Sequence, residues 1–217
     1  MKIRENCYML GLGSTGGKIY KEFVQRHYKG AAANGSEQDH KALGDVPNKY
    51  ILQGFDGFGG HRERAMDCLA GNEDFIKFVE GIKEDIVFIL FAGGGSTGSG
   101  CAPIVAEMLL EGNPVKTVCP VIALPASGES LAKHKNAYET VQELQEIEGL
   151  GATFFLNNDS NENYDYINKN FASMLDEFLS NESYGRQNNF DESERLEMLK
   201  DSGAMVLSVT GDGTDSK

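Results

Sequence analysis

"LFAGGGSTGSGCAP", Leu90 to Pro103, carries five glycines in the eight residues Gly93–Gly100, directly after the apolar run "DIVFILFA". Glycine loses more conformational freedom on folding than any other residue, so this density marks backbone that turns sharply or comes close to something else. The run before it is apolar on both faces, which suits a central parallel strand covered by helices on both sides. Pro103 stands near the first turn of the helix expected next, "APIVAEMLLEG", where proline is tolerated. A strand, a glycine-rich turn and a helix in that order aim free N–H groups at an anion, worth a few tenths to about 2 kcal/mol per charge. The anion suggested is phosphate.

Outward from this stretch, strand and helix signals alternate along the chain. Expected strands are "CYMLGLG", "GAAAN", "KYILQG", "KTVCPVIAL", "ATFFLNN" and "AMVLSV". Between them lie helical patterns: "GKIYKEFVQRHY" with Ile19, Phe23 and Val24 on one face, then "RERAMDCLAG" and "EDFIKFVEGI". Further on come "SLAKHKNAYETVQELQEIEG", with Leu131, Tyr138, Val141 and Leu144 at helical spacing, "YINKNFASMLDEFLS", and the acidic helix start "NFDESERLEML". The economical reading is α/β: a doubly wound, mostly parallel sheet with helices on both faces. The most loop-like polar stretch is Asn181–Asn189.

Composition narrows the function. The 217 residues are 40% apolar with a net charge of −13, so a sequence-independent nucleic-acid surface, which needs a basic face, is not expected. No apolar run reaches the length of a membrane span, and "MKIRENCYM" lacks the basic and apolar regions of a signal peptide, so a cytoplasmic protein is expected. Cys7, Cys68, Cys101 and Cys119 form no CxxC pair, and the four histidines show no metal-ligand spacing, so no metal-ligating residues are expected.

In an open parallel sheet, ligands bind beyond the carboxyl ends of the strands. There the chain places "GLGSTGGK" (Gly11–Lys18), "GFDGFGGHR" and "GGGSTGSG". Gly11, Gly13 and Gly16 fit the dinucleotide pattern GxGxxG, but that site wants an acid closing the second strand, and here Asn34 closes it. The P-loop pattern GxxxxGK[ST] fails too, because Lys18 has Leu12 and Ile19 at the required positions.

The loops together resemble the tubulin/FtsZ superfamily, in matching order along the whole chain. "AGGGSTGSG" is similar to its signature loop, which implies phosphate binding by Gly93, Gly94, Gly95, Ser96, Thr97, Gly98 and Ser99. "GLGSTGGK" resembles the first phosphate loop (Gly11, Gly13, Gly16), with Ser14 and Thr15 in place of glycines and Lys18 in place of an asparagine. "NGSEQDHKAL" is similar to the second loop, beginning at Asn34, with Ser36 where the family has Asp. "LPASGES" fits the ribose loop through Pro125 and Glu129, and Lys133 falls where FtsZ carries arginine. "FLNND" points to Asn158 as a base contact. An aromatic four residues before an asparagine reads the base in this family. Tyr164 with Asn168 and Tyr166 with Asn170 both fit, and the first pair is preferred because "INKNFA" resembles the plasmid-segregation branch, TubZ.

What the resemblance implies is a GTP-hydrolysing filament protein using GTP/GDP and Mg2+, with residues 1–182 as the GTP-binding domain including its core helix and residues 183–217 as a catalytic loop and the beginning of a truncated second domain. Its subunits would associate head to tail and engage DNA only through an adaptor protein. Asn189, Asp191 and Glu194 match the loop that reaches a neighbouring subunit's nucleotide, where a carboxylate can orient water for phosphoryl transfer. An acidic helix start is the plain alternative for these three. Other functional readings are an FtsZ-like division protein, a nucleotide-binding module that does not polymerise, and a Rossmann-type NAD oxidoreductase. A β-branched residue at Gly94 or Gly98 is expected to block phosphate while leaving the fold intact, since loop positions carry little packing.

Overall fold

The computed structural model describes residues 2–54, 56–160, 163–180 and 191–207. After a 3-10 turn at Ile3–Asn6, the strands are β1 (Cys7–Leu12), β2 (Lys29–Asn34), β3 (Lys49–Ile51), β4 (Ile86–Ala92), β5 (Thr117–Leu124), β6 (Ala152–Asn157) and β7 (Gly203–Ala204). The helices are α1 (Gly13–Val24), α2 (Glu37–Ala42), α3 (Arg62–Ala70), α4 (Glu73–Glu80), α5 (Ser96–Gly112), α6 (Leu131–Gln145), α7 (Tyr164–Ser180) and α8 (Glu192–Lys200). The strands form one sheet in the order β3-β2-β1-β4-β5-β6-β7, and every pairing is parallel.

β4 explains why both faces are covered. Val87, Ile89 and Phe91 enter the core under α3, α4 and α5, while Ile86, Phe88 and Leu90 enter the opposite core under α1 and α7. All six are at most 2% exposed. Each such side chain contributes about 1.5–3 kcal/mol through burial, so the run that reads as apolar on both faces secures the sheet's centre.

Three elements depart from the sequence reading. α6 does not bury Leu131 or Tyr138, which are 84% and 64% exposed. It turns Asn136, Ala137, Thr140 and Leu144 inward, because the backbone turn it packs against offers carbonyls rather than an apolar wall. The second-loop segment contains a short helix, α2, whose N-cap Ser36 accepts a hydrogen bond from the Asp39 N–H (3.3 Å). The last strand is only two residues long, extended by a Met205 N–H bond to the Thr153 carbonyl (2.9 Å). The expected boundary at 182/183 falls outside the described residues. Beyond it, β7 pairs with β6, and Leu199 of α8 is fully buried in the core that α1 and α7 cover.

Backbone packing around α1 leaves no room for side chains. A Cβ at Gly16 would sit 2.1 Å from the Leu90 carbonyl oxygen, whereas one at Gly128 meets nothing within 4 Å. Gly16→Ala is therefore expected to destabilise the protein by about 1–3 kcal/mol through overpacking. Gly128→Ala should stay within about 0.5 kcal/mol of the parent, as surface changes usually do. Denaturant unfolding of the two variants checks this.

Candidate functional site

The chain leaves β1 toward β2 and β3 on one side, and leaves β4 toward β5, β6 and β7 on the other. Loops departing in opposite directions open a crevice at the carboxyl ends of β1 and β4, the place where open α/β sheets bind ligands. Two helices begin there. α1 follows Leu12 and α5 follows Gly95, and neither receives a side-chain cap. Their first-turn N–H groups lack helical partners, and both macrodipoles present a positive end to the same space.

A cleft of about 170 Å³ lies between them. Of the expected phosphate ligands, Gly13, Ser14, Thr15, Asn34, Gly95, Ser96, Thr97 and Gly98 line it. Gly13 has φ +74°, a left-handed conformation that glycine adopts without cost and that sets α1's start against Thr97. Asn34 turns its carboxamide oxygen onto the Ser36 N–H (3.1 Å) and closes β2 at the cleft edge.

Other expected residues stand behind the cleft. A Cβ at Gly11 would meet the Gly16 carbonyl oxygen at 2.4 Å, so these two glycines serve close packing. Gly93 lies against Ile122 and Ala137, and Gly94 against Lys133. Ser99 is fully buried, its hydroxyl donating to the Gly95 carbonyl. The expectation that Gly98 carries little packing is corrected: a Cβ there would lie 2.7 Å from Phe91 Cβ, and one at Gly94 would lie 3.0 Å from Lys133 Cβ. Gly95, with nothing closer than 3.7 Å, is the cleft-lining loop glycine that accepts a side chain.

Behind the turn is a polar brace absent from the sequence reading. Asn136 Nδ2 donates to the carbonyls of Gly60 (3.0 Å) and Gly94 (3.4 Å), joining the "GFGG" turn to the signature loop. The Ser99 carbonyl accepts from Arg62 Nη2 (3.0 Å) and Thr140 Oγ1 (3.1 Å). Arg62, 4% exposed, is held by the Glu143 carboxylate, with an Nη1–Oε1 distance of 2.7 Å. The only sequence signal for this brace was polar residues four apart on α6, at positions where a core helix would carry apolar ones.

A second cleft, about 230 Å³, shares Ser14 and Asp39 with the first and adds Lys18, Lys21, Glu22 and Asp165. Asn168, one turn beyond Asp165 on α7, is 4% exposed, and its amide makes no hydrogen bond among the described residues. Asn170 instead lines a cleft with Phe154, Met174 and Leu207. Of the two aromatic–asparagine pairs, Tyr164 with Asn168 thus has its asparagine on the buried face of α7. Pro125, Glu129 and Lys133 line neither cleft. Burial acts to raise the Glu129 pKa, but the Lys133 ammonium and the Ala126 N–H outweigh it and hold the carboxyl below its usual range. Ser127 on this loop bonds Asp159 (2.8 Å), next to the half-buried Asn158.

Residues 6–164 match the tubulin/FtsZ family, GTPase domain. The chain belongs to the tubulin/FtsZ family. The tubulin-like protein CetZ of Pyrococcus abyssi is 32% identical over 150 residues, 64% of this chain and 41% of that protein. The tubulin-like protein TubZ of Clostridium botulinum C phage is 24% identical over 198 residues, covering 87% and 55%. The chain thus spans about half the length of these relatives. The solved structure of Clostridium botulinum phage c-st TubZ, truncated at its C-terminal tail, has the same fold: TM-score 0.81 at 23% identity, over 93% of this chain and 68% of that one. CetZ2 from Haloferax volcanii, solved as a GTPγS-bound protofilament, also shares it: TM-score 0.69 at 23% identity, over 80% and 57%. Membership removes the NAD oxidoreductase reading. No helix among the described residues is long and apolar enough to cross a membrane.

In this tubulin/FtsZ chain the acids after the core helix do local structural work. Asp191 is the N-cap of α8: its Oδ1 accepts from the N–H groups of Ser193 (2.8 Å) and Glu194 (2.9 Å), while Glu194 Oε2 accepts from the Asp191 N–H (2.8 Å). Asn189 lies outside the described residues. Glu192 bonds the Ile3 N–H (2.7 Å), which places α8's first turn at the amino ends of the strands, away from the phosphate cleft.

The Glu194 N–H, followed by the Ser193 hydroxyl, holds the Asp191 pKa below its ordinary value. With a depressed folded pKa, the cap's contribution is present above the unfolded value near ~3.9 and is lost as pH falls through the lower folded value. The Ser193 amide resonance should therefore move on acid titration, following the Asp191 carboxyl. In Asp191→Asn, which caps comparably without titrating, that movement should vanish.

Proposed function

We propose that this chain binds and hydrolyses GTP and assembles head to tail into filaments, with the segregation of plasmid or phage DNA through an adaptor protein as its role. The observation that carries the reading is the opposition of two chemistries across one sheet. Uncapped helix ends face a glycine-lined cleft at the carboxyl ends of the strands, and the carboxylates of Asp191 and Glu194 sit at the amino ends. A six-residue strand such as β1 separates them by on the order of 20 Å, too far for one chain's acids to reach its own nucleotide. Stacked head to tail, one subunit's α8 start meets the next subunit's cleft. The protofilament of CetZ2 with GTPγS supports this arrangement.

The first-turn N–H groups of α1 and α5 grip the phosphates. Asn168 and Asn158 read the guanine edge while Tyr164, 43% exposed, covers the ring. Asp191 Oδ2 and Glu194 Oε1 take no part in the capping bonds, so each acid keeps one oxygen to accept a proton from the attacking water. The cleft offers only oxygen donors from its side chains, a set that fits Mg2+, and when bound with the nucleotide Mg2+ neutralises phosphate charge. The TubZ similarity, which covers 87% of this chain, supports the segregation role. A net charge of −13 supports engagement of DNA through another protein.

GDP and GTP are expected to bind at least tenfold tighter than ADP and ATP, about 1.4 kcal/mol or more, in a calorimetric titration. Equal affinity for adenine nucleotides would defeat the base-reading assignment.

Asp191→Asn and Glu194→Gln keep the cap's acceptors and remove the charge. Each is expected to leave GTP affinity within a few-fold while phosphate release falls roughly a hundredfold, the usual scale for a positioned acid or base. Turnover per subunit in the parent should rise with protein concentration. A flat rate, or variants that lose binding and hydrolysis equally, would place these carboxylates in a site built within one chain.

A further inference from the structure

We propose that Arg62 is a positioning residue for phosphate binding, acting through the backbone carbonyl of Ser99. This rests on reading the phosphate cleft as the nucleotide site. Pro103 is the eighth residue of α5, so it lies inside the helix rather than in its first turn. A proline there donates no N–H to the carbonyl four residues back, and its ring crowds that carbonyl. The carbonyl so deprived is that of Ser99, which is fully buried. A buried carbonyl must find a donor or bear the cost of its lost hydration.

Two side chains from other helices reach it. Arg62 Nη2 donates at 3.0 Å, and the Thr140 hydroxyl stands at 3.1 Å. A hydroxyl has one proton to give, and Thr140 has the Asn136 carbonyl of its own helix nearer, at 2.7 Å. Arg62 is therefore the donor on which Ser99 depends. The guanidinium is fixed in turn by α6: both Nη atoms bond the Glu143 carboxylate, and Nη1 lies 3.7 Å from Glu139 Oε2. The backbone of Arg62 also meets α5, since a Cβ at Gly100 would lie 2.4 Å from the Arg62 carbonyl oxygen.

Stability alone does not account for an arginine here. Arg62 is 4% exposed, and its buried Nε has no partner among the described residues. Buried ion pairs are often replaced by apolar residues without loss of stability. What arginine supplies, and an apolar residue or a lysine does not, is a planar fork that bonds a carboxylate and a carbonyl at once.

The consequence falls on the cleft. Ser96, Thr97 and Gly98 line it, and Ser99 completes their helical turn. The N–H groups of that turn point along the axis toward the cleft, and the Ser99 carbonyl points the opposite way. Holding the carbonyl from behind sets where the N–H groups aim. A helix end acts on charge only within its first turn, so a small tilt of α5 weakens the grip on phosphate and leaves contacts to the nucleoside alone.

The test compares ligands with and without phosphate. GTP is titrated calorimetrically, and guanosine by ligand-observed NMR, on the parent, Arg62→Met, Arg62→Lys and Thr140→Val, with circular dichroism and thermal unfolding to verify the fold. Arg62→Met should lose about tenfold or more in GTP affinity and less than about twofold for guanosine. Arg62→Lys, whose ammonium cannot bridge Glu143 and Ser99 together, should lose comparably, while Thr140→Val should stay within about threefold for both. The phosphorus resonances of bound GDP should shift in the Arg62 variants and not in Thr140→Val. If Arg62→Met does not fold, Arg62→Lys, which keeps a cation beside Glu143, carries the comparison. Equal losses for GTP and guanosine would make Arg62 a general structural residue and overturn the proposal. So would parent-like GTP affinity in Arg62→Lys, or a loss in Thr140→Val as large as in Arg62→Met. A parent that binds GTP no better than guanosine overturns the reading of the phosphate cleft, and this proposal with it.

Discussion

The approach of α1 to the sheet, with Gly16 against the Leu90 carbonyl, is the constraint on which the site depends. A Cβ at Gly16 would lie 2.1 Å from that oxygen, and one at Gly11 would lie 2.4 Å from the Gly16 carbonyl. Without side chains there, α1 descends onto β1 and β4, and its first turn opens beside the first turn of α5. Two uncapped helix ends then open on one cleft, and each would favour an anion there by a few tenths to about 2 kcal/mol per charge. The glycines that look made for phosphate divide into two kinds. Gly11 and Gly16 let backbone meet backbone, while Gly13 and Gly95 shape the cleft itself.

A loop this rich in glycine needs support from outside. α6 and α3 provide it with polar groups rather than apolar ones: Asn136 on Gly60 and Gly94, and Thr140 and Arg62 on the Ser99 carbonyl. The guanidinium is buried and would be costly alone, and the Glu143 carboxylate compensates it. Backbone carbonyls in an interior turn must find donors, and here the donors reach them from side chains on neighbouring helices.

The amino end of the sheet is held differently. Glu192 ties α8 to the chain's first residues, and Leu199 fills the core under α1 and α7. The acids that resemble a catalytic loop are first of all a helix cap, which engages one oxygen of each. Cap and proposed chemistry are compatible because each carboxylate commits one oxygen to α8 and leaves the other uncommitted.

Much was legible in the residues themselves. The period of apolar residues showed the alternation of strands and helices, and β4's run, apolar on both faces, implied a parallel sheet covered twice. The glycine loops marked the carboxyl ends of β1 and β4, because such density has few causes. What the residues could not show was anything depending on partners far apart in the chain. Leu131 and Tyr138 have helical spacing, but only the position of the Gly93–Gly95 turn decides that α6 faces inward with Asn136 and Thr140. Asp39 reads as one more surface acid until β2 and the starts of α1 and α5 are brought around it. Tyr164 with Asn168 and Tyr166 with Asn170 share one spacing, and only the packed fold buries Asn168 and leaves Asn170 lining a cleft beside Phe154. Local pattern sets which surfaces are apolar or free to bend, and tertiary packing sets which polar group faces which, since that depends on distances the sequence does not contain.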